Sequence, residues 1–196
     1  MKNLFALAFL IMLTINSYGQ TDPLPSLINL TLRYNIAQSR YEVYGRPTFS
    51  AANFNWGSAQ VSIVAPAGVP NSAFTVTSVA GGGWDDVSQV YGPSVASAFD
   101  FHGIGSPGKK TDLVANQELL LFHFTIPGNT CVAGLRLFIN GSDPVATASG
   151  MNGGDFTNVI YSINTNQQQT SLYQLNYDNT GTTCTTCNLV AATLSK

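Results

Sequence analysis

From residue 28 onward, apolar and polar positions alternate over short stretches divided by glycine, proline and asparagine. Ile28, Leu30, Leu32, Tyr34 and Ile36 alternate with Asn29, Thr31, Arg33 and Asn35, the period of a half-buried strand with one wet face. Tyr41, Val43 and Tyr44 continue in a second strand, stopped by Gly45-Arg46-Pro47. Residues 48–57 read as a loop carrying Phe49, Phe54 and Trp56. Ala59, Val61 and Ile63 mark a third strand, and Phe74, Val76 and Val79 a fourth before Gly81-Gly82-Gly83. Trp84 to Tyr91 fits neither period cleanly. Ser94 to Phe101 reads as a strand, and Gly103 to Gly108 as the loop after it.

The strongest pattern lies between Gln117 and Pro144. Leu120, Phe122, Phe124 and Ile126 fall on one face of an extended chain, and Leu119, Leu121, His123 and Thr125 on the other. Leu135, Leu137 and Ile139 repeat the period after a Pro127-Gly128-Asn129 turn, which predicts a core hairpin. Val159, Tyr161 and Ile163 form a further strand, and Leu172 to Tyr177 the last. A chain of about nine short strands without an amphipathic helix predicts an all-β, two-sheet antiparallel β-sandwich, jelly-roll or immunoglobulin-like.

The first residues follow a different logic. Lys2 precedes an apolar run from Leu4 to Ile15, and Ser17 and Gly19 occupy the −3 and −1 positions of a cut after Gly19. This is the pattern of a secretory signal peptide over residues 1–19. The run is shorter than the roughly 20 apolar residues of a membrane span. The expected mature chain is one domain over residues 20–196, secreted or held at the cell surface, with no membrane span after cleavage.

Composition narrows the function classes. Charged residues are 9% and hydrophobic residues 44%, which excludes a disordered chain. The basic residues form no stripe longer than Lys109-Lys110, so a nucleic-acid partner is not expected. Three cysteines remain, Cys131, Cys184 and Cys187. In an exported chain they predict a structural bridge from Cys131 to Cys184 or Cys187, in preference to a Cys184–Cys187 redox pair, because no helical pattern follows Cys187.

Gly103-Ile104-Gly105-Ser106-Pro107-Gly108-Lys109-Lys110-Thr111 imitates a phosphate-binding loop, but Lys110 stands where the hydroxyl residue belongs and a strand pattern follows instead of a helix. A glycine-rich turn is the expectation. Hydrolytic machinery is not legible: the two histidines are His102 and His123, and neither G-x-S-x-G nor H-E-x-x-H occurs. His123 falls within a core strand, and His102 beside Asp100 is the polar pair that the sequence offers. Two loops bracketed by carboxylates, Asp100 with Asp112 and Asp143 with Asp155, are candidate calcium sites, calcium being the ion that such loops take through carboxylates and carbonyls. Otherwise no cofactor is expected. Trp56, Trp84 and Tyr91 are candidate glycan-binding rings near strand ends, weighed against the commoner role of plugging the core.

Tyr41-Glu42-Val43-Tyr44, Gln60-Val61-Ser62-Ile63-Val64-Ala65-Pro66, Gly82-Gly83-Trp84, Gln117-Glu118-Leu119-Leu120-Leu121-Phe122 and Asn140-Gly141-Ser142-Asp143-Pro144 together resemble secreted bacterial β-sandwich modules of the cohesin-like and adhesin kind. The resemblance implies fold and setting and carries no catalytic residue. The expected function is a non-catalytic extracellular interaction or structural module in adhesion, matrix or fibre assembly, with self-association or a surface partner. A carbohydrate-binding module is the alternative, and a secreted hydrolase stands behind both.

Overall fold

The computed structural model describes residues 27–128, 130–163 and 169–184; the expected leader and Cys187 lie outside them. Among the described residues the chain forms twelve strands and one short 3-10 turn, Ile36–Gln38. The strands are β1 (Ile28–Asn35), β2 (Arg40–Pro47), β3 (Ala51–Pro66), β4 (Thr75–Ser78), β5 (Asp85–Tyr91) and β6 (Phe99–Ser106). They continue with β7 (Lys110–Leu113), β8 (Leu119–Thr125), β9 (Arg136–Leu137), β10 (Val159–Ile163), β11 (Gln169–Ser171) and β12 (Tyr173–Asn176). One sheet runs β12-β1-β2-β8-β4 and the other β11-β10-β3-β6-β5, with β7 and β9 also paired to β3. Ile28, Leu30, Val43, Phe122 and Phe124 of the first sheet share one core with Val61, Ile63, Ile104, Leu137 and Ile160 of the second. The fold is all-β, with two largely antiparallel sheets in an arrangement compatible with a β-sandwich.

The strand count exceeds the expected nine or so because β5 forms from the stretch Trp84 to Tyr91 that fits neither period, and because β7 and β11 span only four and three residues, too few to display one. The sheets are also not wholly antiparallel, since β1 and β12 pair in parallel. That pairing places β1 between β12 and β2, so residues 28–36 are not a free edge.

Several boundaries move. β2 runs on through Gly45-Arg46-Pro47, and of the strand expected over Ser94–Phe101 only Phe99–Phe101 is extended, as the start of β6. The expected loop over 48–57 is half strand: β3 starts at Ala51 and runs sixteen residues, pairing first with β7 and then with β6, β9 and β10. The glycine stretch is half strand as well, because β6 continues through Gly103 and Gly105. A Cβ on Gly103 would strike the Ser88 hydroxyl, and one on Gly105 would lie 3.0 Å from Val87 Cγ2. Gly108 has φ +87°, and a Cβ there would collide with the Trp56 and Gly57 carbonyl oxygens. These glycines serve close strand packing, not an anion.

The expected hairpin over 117–144 does not form. β8 joins the first sheet between β2 and β4, while β9 joins the second sheet against β3. The two strands thus belong to opposite sheets, and between them Val132 is tied to the first sheet by the Tyr41 hydroxyl, which donates to Val132 O at 2.8 Å and accepts from Val132 N at 2.7 Å. The face of Phe122, Phe124 and Ile126 is buried as expected. Leu121 is also buried, because a bulge opposite Val43 and Tyr44 turns consecutive side chains inward. Ser62 and Val64, on the outer face of β3, are buried too. Val64 joins a second apolar cluster with Phe101, Phe138, Met151 and Phe156, which roofs the second sheet with the 138–156 loop.

A charged strap ties β1 to the residues flanking β8 and β12. Both Arg33 terminal nitrogens donate to Glu118, which also accepts from the Tyr177 hydroxyl at 2.9 Å. Hydrogen bonding from Arg33 holds the Glu118 carboxyl below its ordinary range. Burial opposes ionisation of Glu42, but donors from Tyr44, Arg40 and Asn35 outweigh it and lower its pKa as well. A carboxylate lowered on folding adds stability above its unfolded pKa and loses it as pH falls through the folded value. The melting temperature is therefore expected to fall as the solution is acidified through about pH 4. Glu118→Gln should shrink that dependence, as thermal denaturation against pH will show.

Candidate functional site

The residues singled out from the sequence scatter in the fold. Trp56 and Trp84 are 2% and 3% exposed, and both belong to the core. The Trp84 indole N–H donates to Ala80 O at 2.6 Å and its ring lies 5.0 Å from that of Phe122. Trp56 lies beneath Gly81, whose φ is +74° and whose Cβ would approach the indole to 3.1 Å. Neither ring presents a face to a sugar, which corrects that expectation; the rings bury their large apolar area instead. Tyr91 is half-buried and lines a surface cleft of about 430 Å³ with Gln89, Asn152 and Phe156.

The four acidic candidates act as turn anchors. Asp100 is buried and accepts from Gly92 N at 2.8 Å, and Asp112 accepts from Asn53 N at 2.7 Å. Asp143 takes both terminal nitrogens of Arg136, at 2.6 and 2.7 Å, and the Ile139 N–H. Asp155 accepts from Thr157 N at 2.9 Å, and hydrogen bonds from Thr157 hold its carboxyl below the usual range. Asp143 and Asp155 line one recess of about 290 Å³, whereas Asp112 lies at another, with Val114 and Glu118. Among the described residues no three histidine, cysteine or acidic side chains gather into a group that could hold a metal ion. The carboxylates of the expected calcium brackets are thus each engaged by a backbone amide, and Asp143 by Arg136 as well.

His102 pairs with Asp86, not with Asp100. Its Nδ1 lies 2.8 Å from Asp86 Oδ2, with the two side chains 1% and 0% exposed. Asp86 also accepts from Phe74 N at 2.8 Å and from the Gln89 amide at 3.0 Å. The Phe74 ring stacks on the imidazole at 3.7 Å, followed by Phe124 and Tyr41 at 5.0 Å each. The register shift between Asp86 and Ser88 in the β5–β6 pairing has no counterpart in the residue pattern, so the pair was not legible in the sequence. A carboxylate and imidazole buried among stacked rings and hydrogen-bonded to each other form a core polar network. His123 is half-buried, and desolvation, then Arg40, lowers its pKa.

A further concavity lies at the end of the second sheet. A cleft of about 520 Å³ is lined by Tyr161 of β10, Ser171 of β11, Tyr173 of β12 and Gln60 of β3, with Asn158 and Asn140 in its floor. The floor is tied down. Asn158 is buried, accepts from Ser62 N at 2.7 Å and donates to Phe138 O at 2.6 Å. Asn140 and Asn158 exchange side-chain and backbone bonds at 2.9 Å each. The Gln60 amide donates to the Asp155 and Thr157 carbonyls at 2.9 and 3.1 Å. A second recess of about 250 Å³ shares Asn140, Tyr173 and Gln174 with the first and extends toward Leu175, Asn176 and Asn179.

The residue pattern does not reveal this cleft, because alternation sets Val159, Tyr161 and Ile163 on one face without deciding which face is inside. Ile160 is the fully buried residue, so Tyr161 points away from the core. The asparagine, glutamine and tyrosine content of 140–176 was the available signal. The cysteine expectation is met: Cys131 is bonded to Cys184 across 53 residues, with Cα atoms 5.7 Å apart, which excludes a Cys184–Cys187 pair. Among the described residues no helix is long and apolar enough to cross a membrane. Comparison with protein-family models, curated proteins and solved structures finds no match for this chain.

Proposed function

We propose that this protein is a non-catalytic extracellular interaction module, a β-sandwich of jelly-roll or immunoglobulin-like type that acts in adhesion, matrix or fibre assembly. The observation that carries the reading is the engagement of its chemistry-bearing side chains. Asp86, Asp100, Asp112, Asp143 and Asp155 each accept from a backbone N–H or a neighbouring side chain, and His102 is sealed against Asp86. The leader pattern and the Cys131–Cys184 bond support export. The resemblance to cohesin-like and adhesin modules belongs to the same reading.

Self-association through strand edges follows from the topology. β12 and β4 end the first sheet and β11 ends the second, and none of these three strands carries a charged residue. Charged gatekeepers ordinarily discourage edge pairing, and an uncharged edge leaves its N–H and C=O groups open to a neighbouring copy. Sedimentation velocity of the mature protein over a range of concentrations and salt is expected to show association that persists as salt rises. Association that collapses with salt would identify ionic contacts and overturn the edge mechanism.

A further inference from the structure

We propose that the joined cleft between β10, β11 and β12 binds a neutral oligosaccharide, an inference that rests on the reading of the protein as a non-catalytic module. The volume of the larger recess, about 520 Å³, lies within the roughly 300–1,000 Å³ typical of ligand sites. The two recesses meet at Asn140, Tyr173 and Gln174, so the concavity is a trough suited to a chain and not to a single compact group.

The chemistry of the walls selects the ligand. Neither recess is lined by lysine, arginine or histidine, and Asp155 is the one carboxylate. A phosphorylated or sulfated ligand would meet no cation there, and would face an Asp155 whose hydrogen bonds from Thr157 favour its charged form. What the walls do offer is two tyrosine rings beside amides and hydroxyls. A pyranose has an apolar C–H face that packs on an aromatic ring and a rim of hydroxyls that both donate and accept. The Tyr161, Ser171 and Gln174 side chains make no hydrogen bond among the described residues, and they stand at the rim. Tyr173 is braced, its hydroxyl donating to Asn176 Oδ1 at 3.1 Å. The bonded Asn140, Asn158 and Gln60 fix the floor before a ligand arrives, which reduces the ordering cost of binding.

The test is isothermal titration of the mature protein with cello-, xylo-, manno- and chitohexaose, and with heparin and polygalacturonate as anionic probes. At least one neutral hexasaccharide is expected to bind with an affinity insensitive to salt. Tyr161→Ala should weaken that binding about tenfold or more, as befits loss of a stacking ring. Gln174→Ala, at an exposed position, should weaken it without changing the melting temperature. Tyr91→Ala, in the separate cleft, should leave it unchanged. Binding by none of the neutral sugars, preference for an anionic probe, or full affinity in both Tyr161→Ala and Gln174→Ala would overturn the site. Chromatography of the bound sugar after prolonged incubation keeps the two readings apart: shortened products would overturn the non-catalytic reading, whereas intact sugar upholds it.

Discussion

Replacing Phe124 with alanine is expected to lower the unfolding free energy by about 3–5 kcal/mol, the range for emptying a large aromatic site in a packed core. Phe124 is fully buried and its ring lies 5.0 Å from both Tyr41 and Phe74, in a stack that continues to His102. Removing it takes the middle layer from that stack and opens space between the two sheets. Phe122→Ala should cost a similar amount, since Phe122 is also fully buried and packs on Trp84. Glu118→Ala is the comparison: its pair with Arg33 is partly exposed and such pairs contribute about 0–1 kcal/mol. Urea denaturation of the three variants checks the expectation, and equal midpoints would contradict the burial of this face.

Reduction of the Cys131–Cys184 bond, or its removal by Cys131→Ser, is expected to cost about 4 kcal/mol on the chain-entropy account for the 53-residue separation it spans. The loop it closes contains β9, β10, β11 and β12, including the walls of the trough. These strands are short, and β9 has only two residues, so they depend on the bond more than the long β3 does. Denaturation with and without reductant measures the loss. Unchanged far-ultraviolet circular dichroism before the transition would show that the bond limits the unfolded ensemble and does not create the strands.

Much of this was legible from residue order. Alternation marked β1 and β8 closely, because a face buried against another sheet demands a period of two. The prolines and glycines that interrupt the apolar periods act locally, and the few cysteines leave few pairings open. The all-β class, the burial of Phe122 and Phe124 and the bond from Cys131 to a terminal cysteine all followed from such local rules.

The rest depended on partners distant in the chain. Whether 119–125 and 136–137 form one hairpin or join opposite sheets turns on what each finds beside it, here β2 and β4 for one and β3 for the other. The same holds for β1 becoming an interior strand through its parallel partner β12, and for His102 taking Asp86 in place of Asp100. The trough is the clearest case. Tyr161 and Tyr173 lie on different strands, and only the inward turn of Ile160 and the folding of β12 back beside β1 bring their side chains to one cleft. Alternation settles that a strand has two faces. Which face meets water, and which strand lies next to it, is decided by packing across the whole chain.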